Sequence, residues 1–199
     1  MHVHSNSIKD KKDIERIKKY FINNMDISHD LEWHKQLLFF VLGINTCYKS
    51  DELLKLKWTD IYDFNNKEIY SYVEYEGYNF YFNKSCKDIL YEYIEKYNRQ
   101  NIDIYIFTSR SYKNRCITSE AINKRYRAIQ KELDLSFNFS TMSLRKTFAY
   151  WQIQECKRDY VKMSKLKRLL HNTNISNDIN IFAEYNINDD MIYINDVNL

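Results

Sequence analysis

The chain has 199 residues, 44% hydrophobic and 16% aromatic, which is enough apolar material to bury a core and excludes a disordered tail. Its 30 Lys plus Arg against 27 Asp plus Glu leave a formal charge of +3, so overall charge does not mark a nucleic-acid binder and any such surface must come from local clustering. Cys47, Cys86, Cys116 and Cys156 lack metal-ligand spacing and read as reduced thiols of a cytosolic protein, and no stretch approaches the roughly 18 apolar residues of a membrane span.

With no proline and only two glycines, Gly43 and Gly77, the turns fall to Asn, Asp and Ser. The opening MHVHSNSIKDKKDIERIKKY has no apolar core and is not a signal peptide. His2 and His4 have no further ligands nearby, so a metal is not expected there. An amphipathic helix follows, with Ile14, Ile17, Tyr20 and Phe21 on one face, then a polar break around Asn23–Asp30. The next helix, His34 to Ile44, is strongly apolar. NTCYKSDE (Asn45–Glu52) interrupts it and leads into a short helix ending at Leu56–Trp58, with Ser50 or Asp51 as its cap.

From Lys67 to Phe82 the pattern changes. EIYSYVEYEGYNFYF is rich in β-branched and aromatic residues and breaks at Glu76–Gly77, which predicts a hairpin. A helix over Ser85–Tyr97 turns Ile89, Leu90, Tyr93 and Ile94 inward; a short strand at Ile104–Phe107 precedes the basic loop SRSYKNR (Ser109–Arg115). ITSEAINKRYRAIQKELDL is a helix capped by Thr118 or Ser119. Ile122, Ile129 and Leu133 point inward; Asn123, Lys124, Arg127 and Gln130 point outward, and these side-chain types reach phosphates and base edges.

FNFSTMSLRKTFAY (Phe137–Tyr150) places Arg145 and Lys146 just inside a helix start. Ser140 and Thr141 are available as caps, and Leu144, Phe148 and Trp151 form an apolar face. Two cations beside exposed backbone N–H groups suit a phosphate, although an ordinary solvated Arg-Lys pair fits the same pattern. A helix near Asp159–Leu170 then leads through HNTNISNDIN to a tail containing Tyr185 and ending in NDDMIYINDVNL.

Several segments in this order resemble the catalytic domain of the tyrosine recombinases, the phage-integrase family. The segments are LLFFVLGINTCYKSDELLKLKWTDI, the hairpin, YIFTSR, ITSEAINKRYRAIQKELDL, and TMSLRKTFAYW followed by KLKRLLHNT; the resemblance runs from about Lys9 to Leu199. It implies a mainly α fold with a small antiparallel β-sheet, forming a single domain over 1–199 without the family's N-terminal core-binding domain. It also implies double-stranded DNA as partner, no cofactor, and the cytoplasm of a bacterial or phage-infected cell.

In that family a tyrosine attacks a DNA phosphodiester. Two arginines, further His, Lys or Trp donors and a hairpin lysine stabilise the charge that gathers on the phosphorane and its leaving oxygen. The second arginine matches Arg145, but the histidine three residues before it is Met142, and a thioether donates no hydrogen bond. The first arginine falls on Lys49, which keeps the charge and loses the bidentate fork. The hairpin lysine falls near Tyr75 or Glu76, and Lys84 is a poor substitute. By strict register the late histidine is Asn172, with His171 one place early; the nucleophile falls on Asn180 or Ile181, with Tyr185 the nearest tyrosine.

The resemblance therefore implies a DNA-binding domain with an eroded catalytic set, in which Arg145, Lys49, His171 and Tyr185 are the remnant positions. Arg145, Lys146, Lys49, Lys124, Arg127, Gln130, Arg110, Lys113 and Arg115 would line the DNA cleft. Such a protein suits a phage- or plasmid-encoded regulator or accessory factor. Two other readings stay open: an active, divergent recombinase that uses Tyr185, and a protein-interaction module whose tail, 182–199, docks on a second copy.

Overall fold

A computed structural model describes residues 5–28, 31–75, 78–97, 104–112, 114–156, 159, 161–162, 166 and 199. Among them the chain is mostly helical, with two small antiparallel ribbons. The centre is α2 (Leu31–Asn45). From His34 onward every residue of this helix is buried, so it can only sit inside other helices. Around it pack α1 (Lys11–Ser28), α5 (Lys84–Tyr97) and α7 (Thr141–Cys156). None of the described helices is long and apolar enough to cross a membrane.

The predicted face of α1 is present: Ile14, Ile17 and Phe21 are buried and Tyr20 packs against the core. The expected break at Asn23 is not. Met25, four residues after Phe21, continues the buried stripe and the helix runs on to Ser28. Aromatic rings then tie α1 and α2 to α6 (Ser119–Glu132). Phe21 meets Phe40 at 5.8 Å and Tyr126 at 6.4 Å, and Tyr126 stacks on Phe139 at 4.2 Å. Tyr126 is thus a core residue of α6 beside the expected Ile122 and Ile129.

After α2 the chain makes two short helices where the sequence suggests one, α3 (Ser50–Leu54) and α4 (Trp58–Ile61). The N-cap of α3 is Lys49, not Ser50 or Asp51. Asp51 accepts a hydrogen bond from Ser119 Oγ at 2.6 Å and so links α3 to α6. The chain then forms β1 (Tyr62–Asp63), which pairs with β2 (Glu68–Ile69), a ribbon the sequence pattern does not announce. Its turn is organised by Asp63 Oδ1, which accepts from the N–H groups of Asn65 and Asn66, with Lys67 left-handed at φ 56°. The predicted hairpin is formed by β3 (Tyr72–Tyr75) and β4 (Tyr78–Tyr81), registered Tyr75 to Tyr78.

No ladder strand forms at Ile104–Phe107. That segment makes single bridges, Lys57 to Tyr105 and Thr108 to Cys116, plus a bond from Ile106 N–H to the Leu56 carbonyl at 2.9 Å. Its partners are helix-flanking turns, which are too short to extend a ladder. Lys35, although 4% exposed, is satisfied there: Nζ donates to Glu32 Oε1 and to the Thr108 carbonyl, both at 2.8 Å. Thr118 caps α6 as expected, accepting from the Ala121 N–H at 3.3 Å. The end of α6 places Asp134 at φ 48°, where glycine is the usual residue.

Candidate functional site

Three helix ends meet where α2 runs out, α3 begins and α7 begins, and α6 braces them. The start of α7 is fixed from α6: Asn123 Oδ1 accepts from the Thr141 N–H at 2.8 Å, and Gln130 Oε1 accepts from the Phe139 N–H at 3.0 Å. Ser143 Oγ accepts from the Ser140 N–H and donates to the Asn138 carbonyl, closing the first turn. These bonds correct the outward placement of Asn123 and Gln130. Both are half-buried, and their side-chain oxygens hold backbone that would otherwise be orphaned.

Just past this first turn Arg145 turns inward toward the bend after α2. Its Nη2 lies 3.7 Å from Cys47 Sγ, and its Nε is buried with no acceptor among the described residues. Cys47 is fully enclosed, so burial pushes its thiol pKa up. The Arg145 charge and its hydrogen bond oppose that rise, with smaller contributions from Glu52 (raising) and Lys49 (lowering). The charges of Arg145, Lys49 and Glu52 therefore converge on one locus.

Lys49 does not present a bare cation. Its Nζ lies 2.9 Å from Glu52 Oε1, while Glu52 Oε2 accepts from the Lys49 backbone N–H at 2.8 Å. The pair is nearly half-exposed on the lysine side, so it is a screened, exchangeable contact worth little to stability. Lys146 diverges from Arg145 and donates to the Ser5 carbonyl at 2.8 Å, which anchors the N-terminal segment on α7 together with Ile8 N–H to Thr147 Oγ1 at 2.8 Å. The two adjacent cations thus do different things. Only Arg145 faces the α2–α3 bend.

Lys124 and Arg127 stand exposed on α6, with Arg127 Nε donating to the Asn123 carbonyl at 3.3 Å. Arg110 and Arg115 are exposed on the basic loop, whose base is closed by the Ser109 N–H to Arg115 carbonyl bond at 2.7 Å; Arg115 lies over the Tyr112 ring. Met142 is 58% exposed. Lys84 opens α5 and pairs with Asp88 at 2.6 Å. His171, Tyr185 and Lys113 lie outside the described residues, as do Asn172, Asn180, Ile181 and the tail 182–198. Leu199 is buried, and the Asn45 side chain both accepts from its N–H and donates to its carbonyl, each at 2.9 Å. Sequence reasoning passed over Cys47 and Asn45 because neither residue stands in a spacing that signals chemistry.

The geometry can be set beside known proteins. No curated protein sequence matches the chain. Its fold resembles that in a crystal structure of XerA recombinase with a TM-score of 0.58 at 16% identity, over 94% of this chain and 62% of that one. At that identity the likeness carries the fold alone, and this chain spans less than two thirds of the other. The family model described as phage integrase family matches residues 10–177, which takes in α1 through α7 together with the Lys49 and Arg145 positions. The chain belongs to the phage integrase family.

Proposed function

We propose that this domain binds double-stranded DNA through backbone phosphate, with Arg145 as the central contact, and that its strand-cleaving chemistry is eroded. The observation that carries the reading is the Arg145 guanidinium, held at the start of α7 with a buried Nε that has no acceptor among the described residues. A half-buried planar cation with no carboxylate partner among the described residues is well suited to an anion, and a phosphate oxygen satisfies such a fork. Lys49 supplies a second positive charge at the same locus, while Lys124, Arg127, Arg110 and Arg115 offer exposed charge for the flanking backbone.

The erosion rests on what stands beside Arg145. Met142 has no donor for a developing oxyanion, and Lys49 shares its ammonium with Glu52. In acyl-transfer enzymes loss of one such donor costs on the order of 10²–10³ in rate, and residues that act as a unit do not add simply. A DNA-binding regulator or accessory factor follows, in place of an efficient recombinase.

In a gel-shift titration with duplex DNA, the wild type should lose affinity linearly in log salt. Arg145→Ala should weaken binding about tenfold and reduce the salt slope by about one. Lys124→Ala should lower the slope with a smaller loss of affinity. Unchanged affinity in Arg145→Ala would overturn the phosphate reading. A nicked suicide substrate tests the erosion separately: a covalent adduct that disappears in Tyr185→Phe would establish an active, divergent recombinase instead.

A further inference from the structure

Cys47 is 2% exposed on the bend between α2 and α3, and its Sγ, 3.7 Å from Nη2, is the one hydrogen-bond partner of the Arg145 guanidinium among the described residues. A guanidinium is a rigid plane with five donors, so one acceptor at one edge fixes where the remaining donors point. The chemistry of that acceptor matters. A carboxylate would neutralise the charge and compete with an incoming phosphate, whereas a neutral thiol is a weak acceptor that orients the plane and leaves its charge intact.

The carboxylate whose charge reaches this thiol is Glu52, and it is committed elsewhere: one oxygen takes the Lys49 ammonium and the other the Lys49 N–H. Burial keeps the thiol protonated against the pull of Arg145. From this arrangement we infer that Cys47 is a positioning residue: its sulfur holds one edge of the half-buried Arg145 guanidinium so that the rest of the plane is set toward a phosphate oxygen. The inference rests on the DNA-binding reading for its purpose, and on the Cys47–Arg145 geometry for its substance.

Two measurements on the full chain separate these. Without DNA, ¹⁵N NMR of the arginine side chains should show slowed guanidinium rotation for the signal that disappears in Arg145→Lys. That slowing should be lost in Cys47→Ala and in Cys47→Val, and kept in Cys47→Ser, which retains an acceptor. Valine keeps the bulk, so it carries the comparison if alanine leaves a cavity that the fold does not tolerate.

With duplex DNA, Cys47→Ala should weaken binding by up to about tenfold, Cys47→Ser should recover most of that, and Cys47→Ala should add nothing in an Arg145→Ala background. Unaltered Arg145 rotation in Cys47→Ala and Cys47→Val would overturn the inference, as would an equal loss of affinity with and without Arg145. If Arg145→Ala leaves DNA affinity unchanged, the DNA reading fails, and the NMR comparison still decides whether Cys47 holds the guanidinium.

Discussion

Acidification from pH 7 to pH 4 should lower the unfolding free energy by up to about 3 kcal/mol through His34 alone. The ring has no exposed surface. Both of its nitrogens lack a hydrogen-bond partner among the described residues, and Tyr93 and Tyr97 enclose it edge-on at 5.1 and 5.3 Å. Burial first, then the charge of Lys96, push its pKa down from 6.5 to about 4. The sign follows from proton counts. Between those two values the unfolded chain binds a proton that the folded chain refuses, so stability falls as pH falls through that window and is flat above it.

Glu92 does not rescue the imidazolium, because its Oε1 is 3.9 Å from Nε2 and the carboxylate is 55% exposed and screened. Urea unfolding of the wild type and of His34→Phe across pH 4–7 isolates the contribution from the background of carboxylates. The two curves should diverge toward low pH, with the variant losing less. Parallel curves would show that the ring is hydrated or paired in solution.

His34 also shows how far local pattern carries. The strongly apolar run His34–Ile44 locates α2, and the β-branched and aromatic run broken at Glu76–Gly77 locates the β3–β4 pair, because in both cases the composition of the segment itself sets the element. The β1–β2 ribbon and the split of α3 from α4 are not legible in this way. They depend on Asp63 gathering two backbone N–H groups and on Leu56 accepting from the distant Ile106, and neither bond leaves a periodic trace.

The same division runs through the site. The family resemblance leads one to expect Arg145 and Lys49 at the site, and the charges of both act on one thiol. No motif says that Asn123 and Gln130 turn back to hold α7, or that Lys146 is taken up by Ser5. Hydrogen bonds between segments far apart in the chain redirect polar side chains that, read on a helix face alone, look free.

A substitution at Gly43 is expected to strain the scaffold of the site. A Cβ built there would stand 2.5 Å from Leu144 Cδ1, 2.9 Å from its Cβ and 3.3 Å from its Cγ, so the stem of Leu144 and not only its tip is in the way. Glycine inside a helix normally costs about 1 kcal/mol relative to alanine, so an unobstructed Gly43→Ala would stabilise the protein. The close approach of α2 and α7 reverses that sign: overpacking of about 1–3 kcal/mol should leave Gly43→Ala destabilised and Gly43→Val at or beyond the upper end. Leu144 is 2% exposed, so Leu144→Ala alone should cost about 2–5 kcal/mol.

Because the new methyl occupies volume that Leu144 vacates, the double variant should be clearly more stable than the sum of the two losses predicts, by about 1 kcal/mol or more in a urea-unfolding cycle. Strict additivity would mean that the helices already separate in solution. The functional consequence is specific to this helix pair. Leu144 immediately precedes Arg145, so displacing it should pull Nη2 away from Cys47, and Gly43→Val should lose DNA affinity even under conditions where it remains folded.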